Sequence, residues 1–164
     1  MKRIFFLTIL FALFLVPCLA QGFEGIIPLK STCNDVKKAL KVKTCSFPQS
    51  IYFLKDFSVT VNFADTKDNK NHKICYKVPD ETVTSVAVSY HKLILLSDFG
   101  YELKYDSGPF GDINTFFYQN SEKGISVFVN ENRFGNKAVS ASIFAPTTEQ
   151  HRKFSYPCNQ SPKK

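Results

Sequence analysis

Phe57-Ser58-Val59-Thr60-Val61-Asn62-Phe63 decides the fold. Phe57, Val59, Val61 and Phe63 alternate with Ser58, Thr60 and Asn62, which predicts a strand with one buried and one wet face. The preceding Ile51-Tyr52-Phe53-Leu54 supplies a hairpin partner, turned at Lys55-Asp56. Further along, ISVFVN from Ile125 repeats FSVTVN at four of six positions. Each copy follows an aromatic-rich segment and precedes a Ser-led apolar one, SVAV from Ser85 and SIFA from Ser142. Two half-wet strands share alternation by chance about as readily as by duplication, so a two-unit repeat and coincidence stand level.

The rest of the β reading follows the same signals. Cys75 to Val78 predicts a short strand, and Thr82 to Tyr90 a long one with Val86, Val88 and Tyr90 on one side. A crossover is expected through Leu93 to Leu96, then a helical turn capped by Ser97 or Asp98 and running to Leu103. Ser107-Gly108-Pro109 and Gly111-Asp112 read as loop. Thr115 to Gln119, Ile125 to Asn130 and Ala138 to Ala145 complete the strands, with turns at Gly124 and at Arg133 to Asn136. The polar ADTKDNKNHK, Ala64 to Lys73, offers no apolar face and reads as a surface loop. Two helices are expected. In the first, Thr32 and Asp35 form a capping box ahead of Val36, Ala39 and Leu40, with Lys37, Lys38 and Lys41 outward. The second is a turn from Thr147 to Phe154, capped by Thr147 or Thr148. The expected fold is therefore α+β: an antiparallel sheet with short helices packed on one face, and two helix-plus-hairpin units if the repeat holds.

The amino terminus reads as an address. Lys2 and Arg3 precede Ile4 to Val16, apolar but for Thr8, and Pro17-Cys18-Leu19-Ala20 closes the segment. This is the pattern of a secretory signal peptide over residues 1–20, cleaved near Ala20. The run is shorter than the roughly 20 residues a spanning helix needs, so no transmembrane segment is expected in the mature chain. Cys18 follows Pro17, which disfavours lipid attachment. Residues 21–158 are expected to form one domain, with a disordered tail over 159–164.

Loss of Lys2 and Arg3 reduces the net charge from +7 to +5. Cys33, Cys45, Cys75 and Cys158 then remain, an even number in an oxidising secreted or periplasmic setting. Three pairings are possible. The favoured one joins Cys33 to Cys45 around the first helix and Cys75 to Cys158 across the tail. Without any Cys-x-x-Cys, zinc is disfavoured, and no cofactor is expected.

GIIPLKSTCNDVKKAL, from Gly25 to Leu40, resembles the entry helix of the SmpA/OmlA-type outer-membrane assembly lipoproteins and of the β-lactamase-inhibitor-like fold. With VPDETVTSVAV from Val78 and FFYQNSEKGISVFV from Phe116, the wider pattern resembles short exported bacterial proteins. The resemblance implies an antiparallel sheet with helices on one face. It implies no activity and assigns no partner-binding residue.

Catalytic signatures are missing from the sequence. There is no Gly-x-Ser-x-Gly elbow, His-Glu-x-x-His helix, P-loop or dinucleotide fingerprint. A ribonuclease-like hydrolase is the alternative reading, drawn from His72, Lys73, His91, Lys92 and His151, because two histidines and a lysine can flank a phosphate. Nucleic-acid binding is not expected from dispersed charge without a basic stripe. The leading expectation is a noncatalytic module that binds a protein or an envelope component through its sheet face. Tyr52, Tyr76, Tyr90, Phe117, Tyr118 and Phe128 cannot all point inward on alternating strands, and aromatic residues outside a core favour contacts with partners.

Overall fold

Pro48 ends the first loop, and the next fifteen residues make the expected hairpin: β1 (Gln49–Phe53) pairs antiparallel with β2 (Phe57–Phe63). The Leu54 amide donates to the Phe57 carbonyl across the Lys55-Asp56 turn. A computed structural model of the chain describes residues 22–65, 74–110 and 114–158. The expected signal peptide, Cys18, His72, Lys73, the Gly111-Asp112 turn and the 159–164 tail lie outside the described residues.

The remaining strands are β3 (Ile74–Tyr76), β4 (Val83–Leu95), β5 (Lys104–Phe110), β6 (Thr115–Asn120), β7 (Ile125–Glu131), β8 (Lys137–Phe144) and β9 (Ser155–Pro157). Seven form one antiparallel sheet in the order β1-β2-β4-β8-β7-β6-β5, and β3 pairs with β9 in a separate two-stranded sheet. Among the described residues the two α-helices are α1 (Cys33–Leu40) and α2 (Thr148–Phe154). The protein is mainly β, and the α+β expectation is overturned. The reason lies in what the helices bury. Helix α1 lays Cys33, Val36 and Leu40 into the core, whereas α2 buries no residue.

Both helices start as their sequences dictate. Thr32 and Asp35 form the capping box of α1, and Thr147 with Gln150 forms that of α2. The core lies between α1, the Phe23–Ile26 segment and one side of the sheet, where Val59, Val61, Val86, Val88, Val127, Val129 and Phe144 are buried.

The strand order places β1-β2-β4 beside β8-β7-β6, two three-stranded units that meet where β4 pairs with β8. Val59 faces Val88 and Tyr52 in the first unit; Val127 faces Ser142 and Tyr118 in the second. Ser142 thus stands in the place of Val88, not of Ser85, and the SVAV and SIFA segments do not correspond as aligned. Nor does a helix lead each unit. Where α1 serves the first, the second has only a 3-10 turn at Leu96–Asp98, not the helical turn expected to run to Leu103, and then an irregular segment whose Phe99, Tyr101 and Leu103 pack on the core.

Two loops predicted from sequence are strand. Strand β4 runs on past Tyr90 to Leu95 across an irregularity between Ser89 and Ile94, and Ser107-Gly108-Pro109 lies inside β5. Strand β5 tolerates Gly108 and Pro109 because it is an edge, with two register shifts against β6. The expected disulfides are both present, Cys33 with Cys45 and Cys75 with Cys158.

Candidate functional site

Pairing register assigns each side chain to a face. The side opposite α1 carries Phe53, Ser58, Ser89, Ala141, Phe128, Phe117 and Ser107 in one cross-strand row. A neighbouring row runs Ile51, Thr60, Ala87, Ile143, Ser126, Gln119 and Lys104. None of these residues is buried, whereas the other side of the same strands buries a layer made mostly of valines. This is the unburied face of a one-sided antiparallel sheet. Near its centre Ser58, Ser89, Ala87 and Ala141 are small and Ile143 is the large apolar side chain among them, while the aromatic groups stand toward its ends. Phe53 is 82% exposed at the β1 end, and Phe117 and Phe128 lie with ring centroids 5.2 Å apart nearer the other.

The six aromatics singled out from the sequence divide between three places. Phe117 and Phe128 share the unburied face. Tyr52, Tyr90 and Tyr118 pack against the core instead, on the side of α1. The Tyr52 hydroxyl donates to the Thr44 carbonyl, and the Tyr90 hydroxyl bonds Ser142 Oγ at 2.8 Å. Tyr76 belongs to the small sheet, 3.1 Å from His151 Nδ1. Burial raises the phenol pKa of Tyr76 and of Tyr90 above the ordinary value.

A second feature went unread in the sequence. Leu95, Leu96, Tyr101, Leu103, Tyr118 and Lys137 line an open cleft of about 590 Å³. Lys137 Nζ donates to Tyr118 Oη at 3.1 Å and lies 4.9 Å from the Phe116 ring centroid. The Tyr118 bond holds the lysine above its ordinary pKa. Lys137 reaches there from β8 across the intervening β7, a relation no local pattern encodes.

The two described histidines do not converge. His91 lies at the β1–β2 turn, its amide donating to the Asp56 carbonyl, and Lys92 pairs with the Asp56 carboxylate at 2.7 Å. His151 sits on α2 beside Tyr76, near the opposite end of β4. The eight residue steps from Val83 to His91 alone span about 26 Å at ~3.3 Å per step. The structure does not bring His91 and His151 to a common phosphate. Among the described residues, no group of three His, Cys, Asp or Glu side chains could hold a metal ion, and no helix is long and apolar enough to cross a membrane.

Comparison of the chain with protein-family models, curated proteins and solved structures finds no match.

Proposed function

We propose that the chain is an exported, noncatalytic binding module that receives another protein or a component of the cell envelope on the unburied face of its sheet. The observation that carries this reading is the two rows described above, in which no residue is buried and Phe53, Phe117 and Phe128, with Ile51 and Ile143, stand among small and polar side chains. Small side chains keep such a surface flat, so an approaching partner can reach the aromatic rings and remove their apolar area from water.

The export half of the reading rests on the two disulfides, which favour an extracellular or periplasmic setting, together with the signal-like residues 1–20. Mass spectrometry of the protein recovered from its host tests it: a mature form beginning at Gln21 is expected, and a retained leader with four free thiols refutes it. The binding half is tested by incubating the immobilised oxidised chain with a host envelope extract, beside a Phe117→Ser/Phe128→Ser variant of unchanged circular dichroism. Capture of a discrete component by the parent and its loss in the variant are expected. Equal capture by both rejects the assignment of the face.

A further inference from the structure

The two edges of the large sheet are built differently. Strand β5 carries Lys104, Asp106 and Pro109, and its pairing with β6 shifts register twice. Charges, prolines and bulges are the usual means of stopping an edge from pairing with another chain. Strand β1, Gln-Ser-Ile-Tyr-Phe, has none of them: it is uncharged, lacks proline and pairs with β2 in unbroken register. Its outer side chains are the apolar Ile51, 55% exposed, and Phe53.

The direction of the free backbone groups follows from two bonds. The Phe63 amide donates to the Pro48 carbonyl and the Leu54 amide to the Phe57 carbonyl, so the even-numbered residues of this segment turn their polar groups toward β2. Antiparallel ladders alternate, which leaves the amides and carbonyls of Gln49, Ile51 and Phe53 pointing out of the sheet. No hydrogen bond from these six groups to a described residue is present.

We infer that β1 is a self-pairing edge, and that two copies of this chain join antiparallel through it about a two-fold axis at Ile51. In that register every outward residue meets an outward residue. Ile51 faces Ile51 of the second copy, and Gln49 and Phe53 of each copy face Phe53 and Gln49 of the other. Each such pair exchanges two backbone hydrogen bonds. The exposed Phe53 ring falls diagonal to the second copy's Ile51, within reach for an aromatic side chain. No charge opposes a like charge inside the strand. The guarded β5 edge ends the assembly at two copies, because a two-fold contact is closed. The unburied faces of both copies then run on as one surface. This inference stands whether or not that face binds what is proposed above.

Sedimentation equilibrium of the oxidised chain tests it, with Ile51→Pro and Phe53→Lys variants. The Ile51 amide points away from β2, so its loss spares the β1–β2 ladder, as proline on an outward edge position does. A monomer–dimer equilibrium is expected for the parent, with dimerisation at least ~10-fold weaker, about 1.4 kcal/mol, in each variant. Unfolding midpoints of the variants should stay close to the parent's. Phe53→Lys, with its side chain already in solvent, carries the test if Ile51→Pro does not fold. A parent that stays monomeric at about 1 mM, higher oligomers, or dimers of undiminished affinity in Phe53→Lys would each overturn the inference.

Discussion

The Tyr90 hydroxyl lies 2.8 Å from Ser142 Oγ and joins the two three-stranded units through a polar contact among buried valines and phenylalanines. Ser142 is wholly buried, at the position filled by Val88 in the first unit, so its hydroxyl depends on Tyr90 for a side-chain partner. Tyr90→Phe should therefore cost about 1–2 kcal/mol in urea unfolding, because a buried hydroxyl loses a hydrogen bond. Ser142→Ala should cost less in the Tyr90→Phe background than in the parent, a coupling that a double-mutant cycle reads directly. Equal costs in both backgrounds refute the dependence.

Burial of Tyr90, Tyr101 and Tyr76 raises each phenol above 10.0. For groups with a raised folded pKa, the stability contribution is complete below the unfolded value and is lost as pH rises through the folded one. The unfolding midpoint should thus fall as pH rises above about 10, and fall less steeply in Tyr90→Phe. A midpoint flat from pH 9 to 12 contradicts this.

Helix α1 supplies the acid-side counterpart. Asp35 accepts from the Thr32 amide at 2.8 Å and from the Thr32 hydroxyl at 3.0 Å, and the backbone bond first, then the hydroxyl bond, hold its carboxyl below 3.8. A lowered folded pKa gives stability that is present above the unfolded value and lost as pH falls through the folded one. Thr32→Ala should destabilise by about 1 kcal/mol at pH 7. Part of that difference should vanish below pH 4, when Asp35 protonates in both proteins. An unchanged difference at pH 2.5 counts against the capping box as its source.

Those elements whose cause is local were legible in the sequence. The Thr32–Asp35 box, the hairpin around Lys55-Asp56 and the alternation of Val59 with Val61 all act within a few residues. The cysteine pairing was also legible, although Cys75 and Cys158 are separated by 83 positions, because an oxidising compartment restricts four thiols to few solutions. What failed depended on neighbours. Gly108-Pro109 carries a loop signal, and only an edge position beside β6 makes it strand. The apolar spacing of α1 suggested a helical layer, but Phe99, Tyr101 and Leu103 cover the second unit from an irregular segment. Of the six aromatics, Tyr52 and Tyr118 share a side with Val59 and Val127 opposite them, which is visible only once register is known, whereas Tyr90, opposite Phe57, already alternates with Val86 and Val88 in the sequence.

Lys137 and Tyr118 offer a spectroscopic readout of the cleft. The Tyr118 hydroxyl bond is the largest cause of the raised Lys137 pKa, so Tyr118→Phe should bring it down toward 10.5, as followed by the 13Cε shift of that lysine. The residue-118 ring would persist at 5.8 Å from the ammonium, beside the untouched cation–π contact to Phe116 at 4.9 Å, worth about 0.5–1 kcal/mol at an exposed site. Tyr118→Phe should accordingly unfold at nearly the parent's urea midpoint, while Phe116→Ala lowers it further. No change in the lysine titration would remove the hydrogen bond from the description.

Phe128 and Phe144 separate binding from stability. Both are phenylalanines of the central strands, yet Phe144 is 1% exposed in the core while Phe128 lies half-buried on the other face against Phe117. Phe144→Ala removes a filled core volume and should cost about 3–5 kcal/mol. Phe128→Ala forfeits mainly one aromatic pair, about 0.5–1.5 kcal/mol beyond partial loss of burial, and should leave a cooperative urea transition. If the face binds a partner, Phe128→Ala abolishes capture while the fold survives, and a mutation of the exposed Phe134 in the β7–β8 turn changes neither. If Phe128→Ala instead unfolds the chain as Phe144→Ala does, that ring is a core residue, and the face loses one of the three aromatic groups on which its assignment as a contact surface depends.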